Sequence, residues 1–292
     1  MARRRSEPGV PGIAALARRA LAEDRAGRDR TTALLFPRPI AAEGTVTAQA
    51  PGVLSGMAAA RAIADALGLR VRFARPDGAR VRPGTRVLTL SGDARRILAA
   101  ERTVLNFLMH ASGVATATAH AVRAARAAGG GLEVWATRKT LPGLRDLEKA
   151  AVVHGGGRPH RRDLSDAVLI KNNHLALLPM RTAVGRARAR ARPGERIEVE
   201  VRSVAEALAA AAEGADFLLL DNTPPARAAA IVRALERAGR RGRVTLELSG
   251  GITPETVGRY RRVGADLVSL GALTHSARAL PFHLTLRPVR AA

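Results

Sequence analysis

The chain has 292 residues, a formal net charge of +23 and 47% apolar content, enough to bury one large or two ordinary cores. It contains no Cys, which excludes disulfides, thiolate metal sites and Cys nucleophiles, and no apolar run approaches the ~20 residues that a membrane-crossing helix needs. Aromatic residues make up 2% of the total, few for stacking platforms. The Arg residues are spread along the chain with no helix-turn-helix, zinc or RNA-recognition signature, so no specific nucleic-acid partner is expected. The charge is read instead as a solvated Arg surface or as a field that steers a small anionic substrate. Met1-Ala2-Arg3-Arg4-Arg5 leads into no apolar segment, and a cytoplasmic location is expected.

In chain order, a basic start is followed by a helix with Ile13, Leu16, Ala17, Ala20 and Leu21 at helical spacing. From Thr45 to Leu90, short strand-like pieces alternate with turns at Pro51-Gly52, Asp77-Gly78 and Pro83-Gly84, around a helix from Met57 to Leu67, and predict a small mixed domain. Residues 93 to 111 form a periodic apolar segment. Beyond Gly113 the pattern alternates: helix 114 to 127, strand 132 to 136, helix 142 to 153, strand 167 to 170, helix 179 to 191, strand 196 to 201. It continues through helix 203 to 213, strand 216 to 220, helix 224 to 238, strand 243 to 247, helix 254 to 262 and strand 266 to 270. So many β-α units predict a parallel sheet curled into an α/β barrel, complete or with a gap.

Barrels of this kind place their chemistry at the carboxyl ends of the strands. Composition singles out the same places. The chain has 45 Arg but three Lys, at 139, 149 and 171, and four Asn, at 106, 172, 173 and 222. Keeping Lys at two strand ends in a chain that otherwise writes its positive charge as Arg suggests a need for a compact ammonium there. The strand ends supply Thr137, Arg138 and Lys139, then Lys171, then Asp221 and Asn222, then Ser249-Gly250-Gly251, then Gly271 to Ser276. Strand alternation puts Glu198 and Glu200 on one face, with Glu200 nearer the mouth. Glu200 and Asp221 on neighbouring strand ends could hold Mg²⁺ or sugar hydroxyls.

Ser249, Gly250 and Gly251, followed by a helix opened by Thr253 and Pro254, read as an anion cradle. With Gly271 one unit later they match the paired-loop phosphate site of barrels. The loop from Gly155 to Arg162 is flexible and cationic. Arg138, Lys139, His160, Arg161 and Lys171 together form a pocket that repels itself unless it receives a polyanion.

Glu101-Arg102-Thr103-Val104-Leu105-Asn106-Phe107, Thr137-Arg138-Lys139-Thr140-Leu141-Pro142-Gly143-Leu144, His160-Arg161, Leu169-Ile170-Lys171, Glu198-Val199-Glu200, Leu220-Asp221-Asn222, Ser249-Gly250-Gly251-Ile252 and Gly271-Ala272-Leu273-Thr274-His275-Ser276 resemble, in order and spacing, the motifs of the quinolinate phosphoribosyltransferase family. The resemblance covers about residues 20 to 285. It implies an open (incomplete) α/β barrel of the type II phosphoribosyltransferase kind over residues 113–275. It further implies an N-terminal α/β sandwich over residues 1–112, to which residues 276–292 return, and a head-to-tail homodimer.

The same resemblance implies that Arg102 reaches the partner's site, while Thr137, Arg138, Lys139, His160, Arg161 and Lys171 bind substrate. Lys139, Glu200 and Asp221 would be catalytic, the last two holding Mg²⁺ directly or through water, and Ser249, Gly250, Gly251 and Gly271 would cradle phosphate. The implied reaction joins quinolinate to phosphoribosyl pyrophosphate and releases pyrophosphate and CO₂. The chain departs from the usual motifs at Pro159, Arg162, Asn172, Leu248 and His283. The alternative is therefore a paralogue for another anionic base, or the relative linked to molybdate transport.

Overall fold

The computed structural model describes residues 10–127 and 131–289. The Arg-rich start at residues 1–5 lies outside them. The chain divides into two compact units. One comprises residues 1–117, 141–156 and 277–292, and the other residues 118–140 and 157–276.

The first unit is built on a four-stranded antiparallel sheet of β1 (Ala41–Ala48), β3 (Arg70–Phe73), β5 (Arg86–Asp93) and β12 (Phe282–Pro288), in the order β12-β1-β5-β3. A second ribbon pairs β2 (Gly52–Val53) with β4 (Arg80–Val81). Alternation in β1 buries Ala42, Gly44, Val46 and Ala48 on one face, as a sheet with one covered face requires. Gly44 is small because a Cβ there would lie 2.9 Å from Ile97 Cγ2. The helices of this unit are α1 (Ile13–Glu23), α2 (Arg30–Leu35), α3 (Met57–Ala66), most of α4 (Ala94–Arg126) and α5 (Arg145–His154).

Two sequence expectations are corrected in these segments. The apolar stretch before Gly113 and the helix after it are one continuous 33-residue helix, α4. A single Gly costs a helix only about 1 kcal/mol. Here it is required, since a Cβ on Gly113 would sit 2.4 Å from the Arg278 carbonyl oxygen. The segment after Met57 matches its expected helix, but the strands around it are longer than the sequence suggested, because β1 and β5 pair along their whole length.

The second unit is a six-stranded parallel sheet. In chain order its elements are β6 (Glu133–Trp135), β7 (Val168–Ile170), α6 (Asn172–Leu175), α7 (Met180–Arg190), β8 (Ile197–Val201), α8 (Val204–Ala212), β9 (Phe217–Asp221), α9 (Pro225–Arg237), β10 (Thr245–Ser249), β11 (Leu267–Ser269) and α10 (Ala272–His275). The strand order is β6-β11-β10-β9-β8-β7. Every strand neighbours its sequence successor except at one place: β6 pairs with the last strand, and no ladder joins it to β7 among the described residues. That is an open α/β barrel. Arg158 bridges to Trp135 in parallel, so the Gly-rich loop lines the free edge of β6.

The helix expected over residues 254 to 262 is not formed. The chain makes a turn and then a four-residue 3₁₀ segment, Val257–Tyr260, because two β-branched residues and Gly258 are poor helix formers. Among the described residues no helix is long and apolar enough to cross a membrane.

Candidate active site

The residues expected to form the site lie in the second unit with one exception, most of them at the carboxyl ends of its strands and His160 and Arg161 on the loop before β7. The exception is Arg102, which sits on α4 in the first unit and lines a hollow with Glu23, Asp24, Asn106, Phe107 and His110.

The β6 end supplies Thr137, Arg138 and Lys139. Thr137 Oγ1 accepts the Lys139 amide N–H at 3.0 Å, closing a tight turn that presents both cations. The Thr274 hydroxyl, from α10, donates to the Lys139 carbonyl at 2.8 Å. A Cβ on Gly271 would lie 2.8 Å from Lys139 Cδ and 3.0 Å from His275 Nε2, so the lysine stem passes directly over this glycine. The Arg138 Nε is buried with no hydrogen-bond partner, a desolvated donor of the kind an anion would satisfy.

The β7 end places Lys171, which starts α6; its backbone N–H donates to His174 Nδ1 at 2.8 Å and the side chain is exposed. The next amide, Asn172 N–H, donates to Glu200 Oε2 at 2.9 Å. Glu200 stands on β8 beside Asp221 on β9. Its carboxyl is held above the ordinary Glu range, chiefly by burial and also by Asp221, against the Asn172 amide and Lys171. Asp221 is itself held, with Oδ2 3.1 Å from the Arg202 guanidinium and Oδ1 accepting from Asn222 Nδ2 at 2.9 Å. Two neighbouring hard-oxygen groups, one of them raised in proton affinity by burial and by the other, are a donor set suited to Mg²⁺.

At the end of β10, Gly250 and Gly251 take φ of +87° and +61°. A Cβ on Gly250 would lie 2.4 Å from Asn222 Oδ1, and the Asn222 amide donates to the Ser249 carbonyl at 2.9 Å. The Ser249 hydroxyl accepts from the Ser269 hydroxyl at 2.9 Å. The expected phosphate cradle is therefore a glycine turn, without the helix N-terminus that the sequence suggested.

Beneath this mouth the barrel holds a polar layer. His160, with φ of +53°, turns its ring inward. Its Nε2 lies 3.2 Å from Glu247 Oε2 and 4.0 Å from Glu198 Oε2. Both carboxylates are buried, and Oε1 of each has no hydrogen-bond partner. Burial first, and Glu247 second, push the Glu198 carboxyl well above its usual range, while Arg161 and Lys171 oppose the shift. Burial and the nearby Arg138 lower the proton affinity of Arg161, while Glu198, Glu247 and Asp166 raise it. The side chains of Arg138, Arg161 and Lys171 thus share one electrostatic environment with this layer.

Sequence reasoning passed over Glu247 entirely and set Glu198 aside for Glu200. The signal for Glu247 was period 2: in Thr245-Leu246-Glu247-Leu248-Ser249 it shares a face with Ser249.

Comparison with known proteins agrees with the geometry. Residues 114–285 match the family model for the quinolinate phosphoribosyl transferase C-terminal domain, and residues 29–112 match that for its N-terminal domain. The nicotinate-nucleotide pyrophosphorylase (carboxylating) of Mycobacterium leprae is 42% identical over 274 residues, 92% of this chain and 95% of that protein. The rat protein of the same name is 38% identical over 275 residues, 94% of this chain and 91% of its own. Among solved structures, NadC from Streptococcus pyogenes superposes with a TM-score of 0.89 at 36% identity, covering 98% of this chain and 100% of that one. The nicotinate-nucleotide pyrophosphorylase from Francisella tularensis gives a TM-score of 0.87 at 33% identity, covering 97% and 98%. Both domains are matched and nearly the whole length is covered: the chain belongs to the quinolinate phosphoribosyltransferase family.

Proposed function

We propose that this protein transfers the phosphoribosyl group of phosphoribosyl pyrophosphate to quinolinate with decarboxylation, giving nicotinate mononucleotide, pyrophosphate and CO₂ in NAD biosynthesis. The observation that carries the reading is the convergence, on one barrel mouth, of Arg138, Arg161 and Lys171 with the carboxylates Glu200 and Asp221 and the glycine turn at Gly250. Three cations suit a dicarboxylate, each such bond contributing roughly 1.5–3 kcal/mol. The glycine turn suits the 5′-phosphate, with Gly271 and Ser249 beside it, and Lys139 reaches toward the pyrophosphate.

The chemistry asks little of side-chain acids and bases. The pyridine nitrogen lone pair forms a bond to ribose C1 as the C1–oxygen bond to pyrophosphate breaks. The C2–carboxylate bond then breaks, CO₂ leaves, and the electron pair left on C2 takes up a proton from solvent. Positive charge builds on the ribose in the first step, where the carboxylates of Glu200 and Asp221 stabilise it. A Mg²⁺ held by Glu200 and Asp221, directly or through water, would supply charge neutralisation for the departing pyrophosphate. The proposal includes a cytoplasmic homodimer in which Arg102 completes the partner's site.

Two of the departures from family motifs lie within sheet strands. Leu248 is fully buried in β10, and His283 pairs with Thr47 in the β1–β12 ladder. Asn172 meets Glu200 through its backbone amide, a bond that any residue but proline would supply. Calorimetric titration with quinolinate, nicotinate and picolinate checks the acceptor. Quinolinate is expected to bind at least tenfold tighter than either monoacid, the loss of one charge-assisted contact. Equal binding of all three would move the protein to a paralogue for another acid.

A further inference from the structure

His160 has both ring nitrogens committed inside the protein. The Arg161 backbone N–H donates to Nδ1 at 2.6 Å, so that nitrogen carries the lone pair. In the neutral ring the proton must then be on Nε2, which faces Glu247 Oε2 at 3.2 Å. The indole of Trp135 closes one side of the ring, edge to face at 5.6 Å, and Trp135 is itself tied by its Nε1 to Glu133 at 2.9 Å. The chain of contacts runs from a rigid central strand, β10, through Glu247 and His160, into the backbone of the residue proposed to hold the acid.

The loop that carries Arg161 needs such support. It begins with Gly155-Gly156-Gly157, which resists ordering, and its link to the sheet is the bridge at Arg158. Glu247, by contrast, is 2% exposed at its side chain and cannot touch solvent-borne substrate directly. The three groups His160, Glu198 and Glu247 bring ligand atoms within 4.8 Å of one another, a spacing that a metal could use. A metal would require the Nε2 lone pair, however, and the Arg161 amide puts the proton on that atom. Arg161 and Lys171 also act on Glu198, which opposes a further cation.

We propose that Glu247 is a positioning residue for the transfer reaction: by accepting the His160 Nε2–H it fixes the tautomer and orientation of His160, and through the Arg161 amide it sets where Arg161 meets the acceptor acid. This rests on the reading of Arg161 as an acceptor contact. A small displacement of a substrate-orienting group is enough to cost up to about a hundredfold. The effect falls on the acceptor, because the Glu247 side chain acts on the Arg161 loop, whereas the glycine turn that follows it on β10 is held at Ser249 by the Asn222 amide and the Ser269 hydroxyl.

The test combines kinetics with ¹⁵N-histidine NMR on the full chain, His160 being assigned through His160→Asn. Wild type is expected to show a protonated Nε2 and a bare Nδ1. Glu247→Ala is expected to raise the KM for quinolinate about tenfold or more with the KM for phosphoribosyl pyrophosphate within about twofold. Glu247→Gln, which retains an acceptor oxygen, recovers most of that loss. The double variant Glu247→Ala/His160→Asn is expected to lose no more than the worse single one, as groups acting in series do.

A wild-type tautomer protonated at Nδ1, or both KM values rising together in variants whose melting matches wild type, would overturn the proposal. Wild type silent with quinolinate would instead sink the acceptor assignment, and the tautomer readout would still decide the role of Glu247.

Discussion

Arg161 is held where its charge is expensive, with burial and Arg138 against it and Glu198 and Glu247 beneath it. In the proposed site its value is the planar fork, which can grip a carboxylate with two parallel bonds. Arg161→Lys keeps the charge and loses the fork, so the KM for quinolinate is expected to rise by roughly 1.4 kcal/mol or more, about tenfold, in steady-state assays. Glu198 supplies a pH signature. Its raised carboxyl means that the folded protein binds a proton more tightly than the unfolded chain does. That contribution to stability is complete below the ordinary Glu range and is lost as pH rises through the raised value. Glu198→Gln, neutral at every pH, is therefore expected to melt close to wild type at pH 4 and increasingly above it toward pH 8. A difference that does not change with pH would show that the Glu198 carboxyl titrates alike in the folded and unfolded chain. At this scale the sequence showed the surface-facing half of the site. Lys139, Lys171, Glu200 and Asp221 stand at strand ends, where residue type alone is informative. The layer beneath was hidden because Glu247 sits inside Leu246-Glu247-Leu248, which reads as an ordinary strand until the register puts it opposite His160.

Among the elements, the turns carry the strictest demands. Gly250 combines a left-handed backbone with a Cβ position 2.4 Å from Asn222 Oδ1. Gly250→Ala is expected to cost about 1–3 kcal/mol in stability and to abolish phosphoribosyl pyrophosphate binding, readable by melting and by calorimetry. Gly113→Ala separates a packing role from a site role: the Arg278 carbonyl in its way makes the helix clash, at a cost of about 1–3 kcal/mol. Both KM values should be retained in the fraction that folds.

Periodicity recovered the long elements well because helices such as α9 bury a clean face at Ala228, Ile231, Val232 and Leu235. It split α4 at Gly113, where the small residue answers a backbone neighbour 165 positions away, a relation that no local pattern contains. It extended a helix through residues 254 to 262, where Pro254 looked like a start signal although the residues after it do not continue one. The strand β12 went unread although Phe282, Leu284 and Leu286 alternate, because its partner β1 lies at the other end of the chain.

For the molecule as a whole, +23 is best explained by many solvent-facing Arg residues together with a focused cationic mouth. Exposed Arg pairs such as Arg158 with Glu133 and Arg188 with Asp216 contribute little to stability, so the charge acts mainly on what approaches. Association of the two anionic substrates is then expected to slow as salt rises past the range where the Debye length falls below about 10 Å, with turnover at saturation unchanged. The proposed homodimer has its own test. Mixing Arg102→Ala with Lys139→Ala, after verified subunit exchange, is expected to restore about one working site per mixed dimer; no recovery would remove Arg102 from the partner's site. The most direct measurement of the central claim is the simultaneous release of pyrophosphate and CO₂ from phosphoribosyl pyrophosphate, Mg²⁺ and quinolinate. Equal amounts of both, appearing with nicotinate mononucleotide, are the expected result. Pyrophosphate without CO₂, or release only with a different acid, would contradict it.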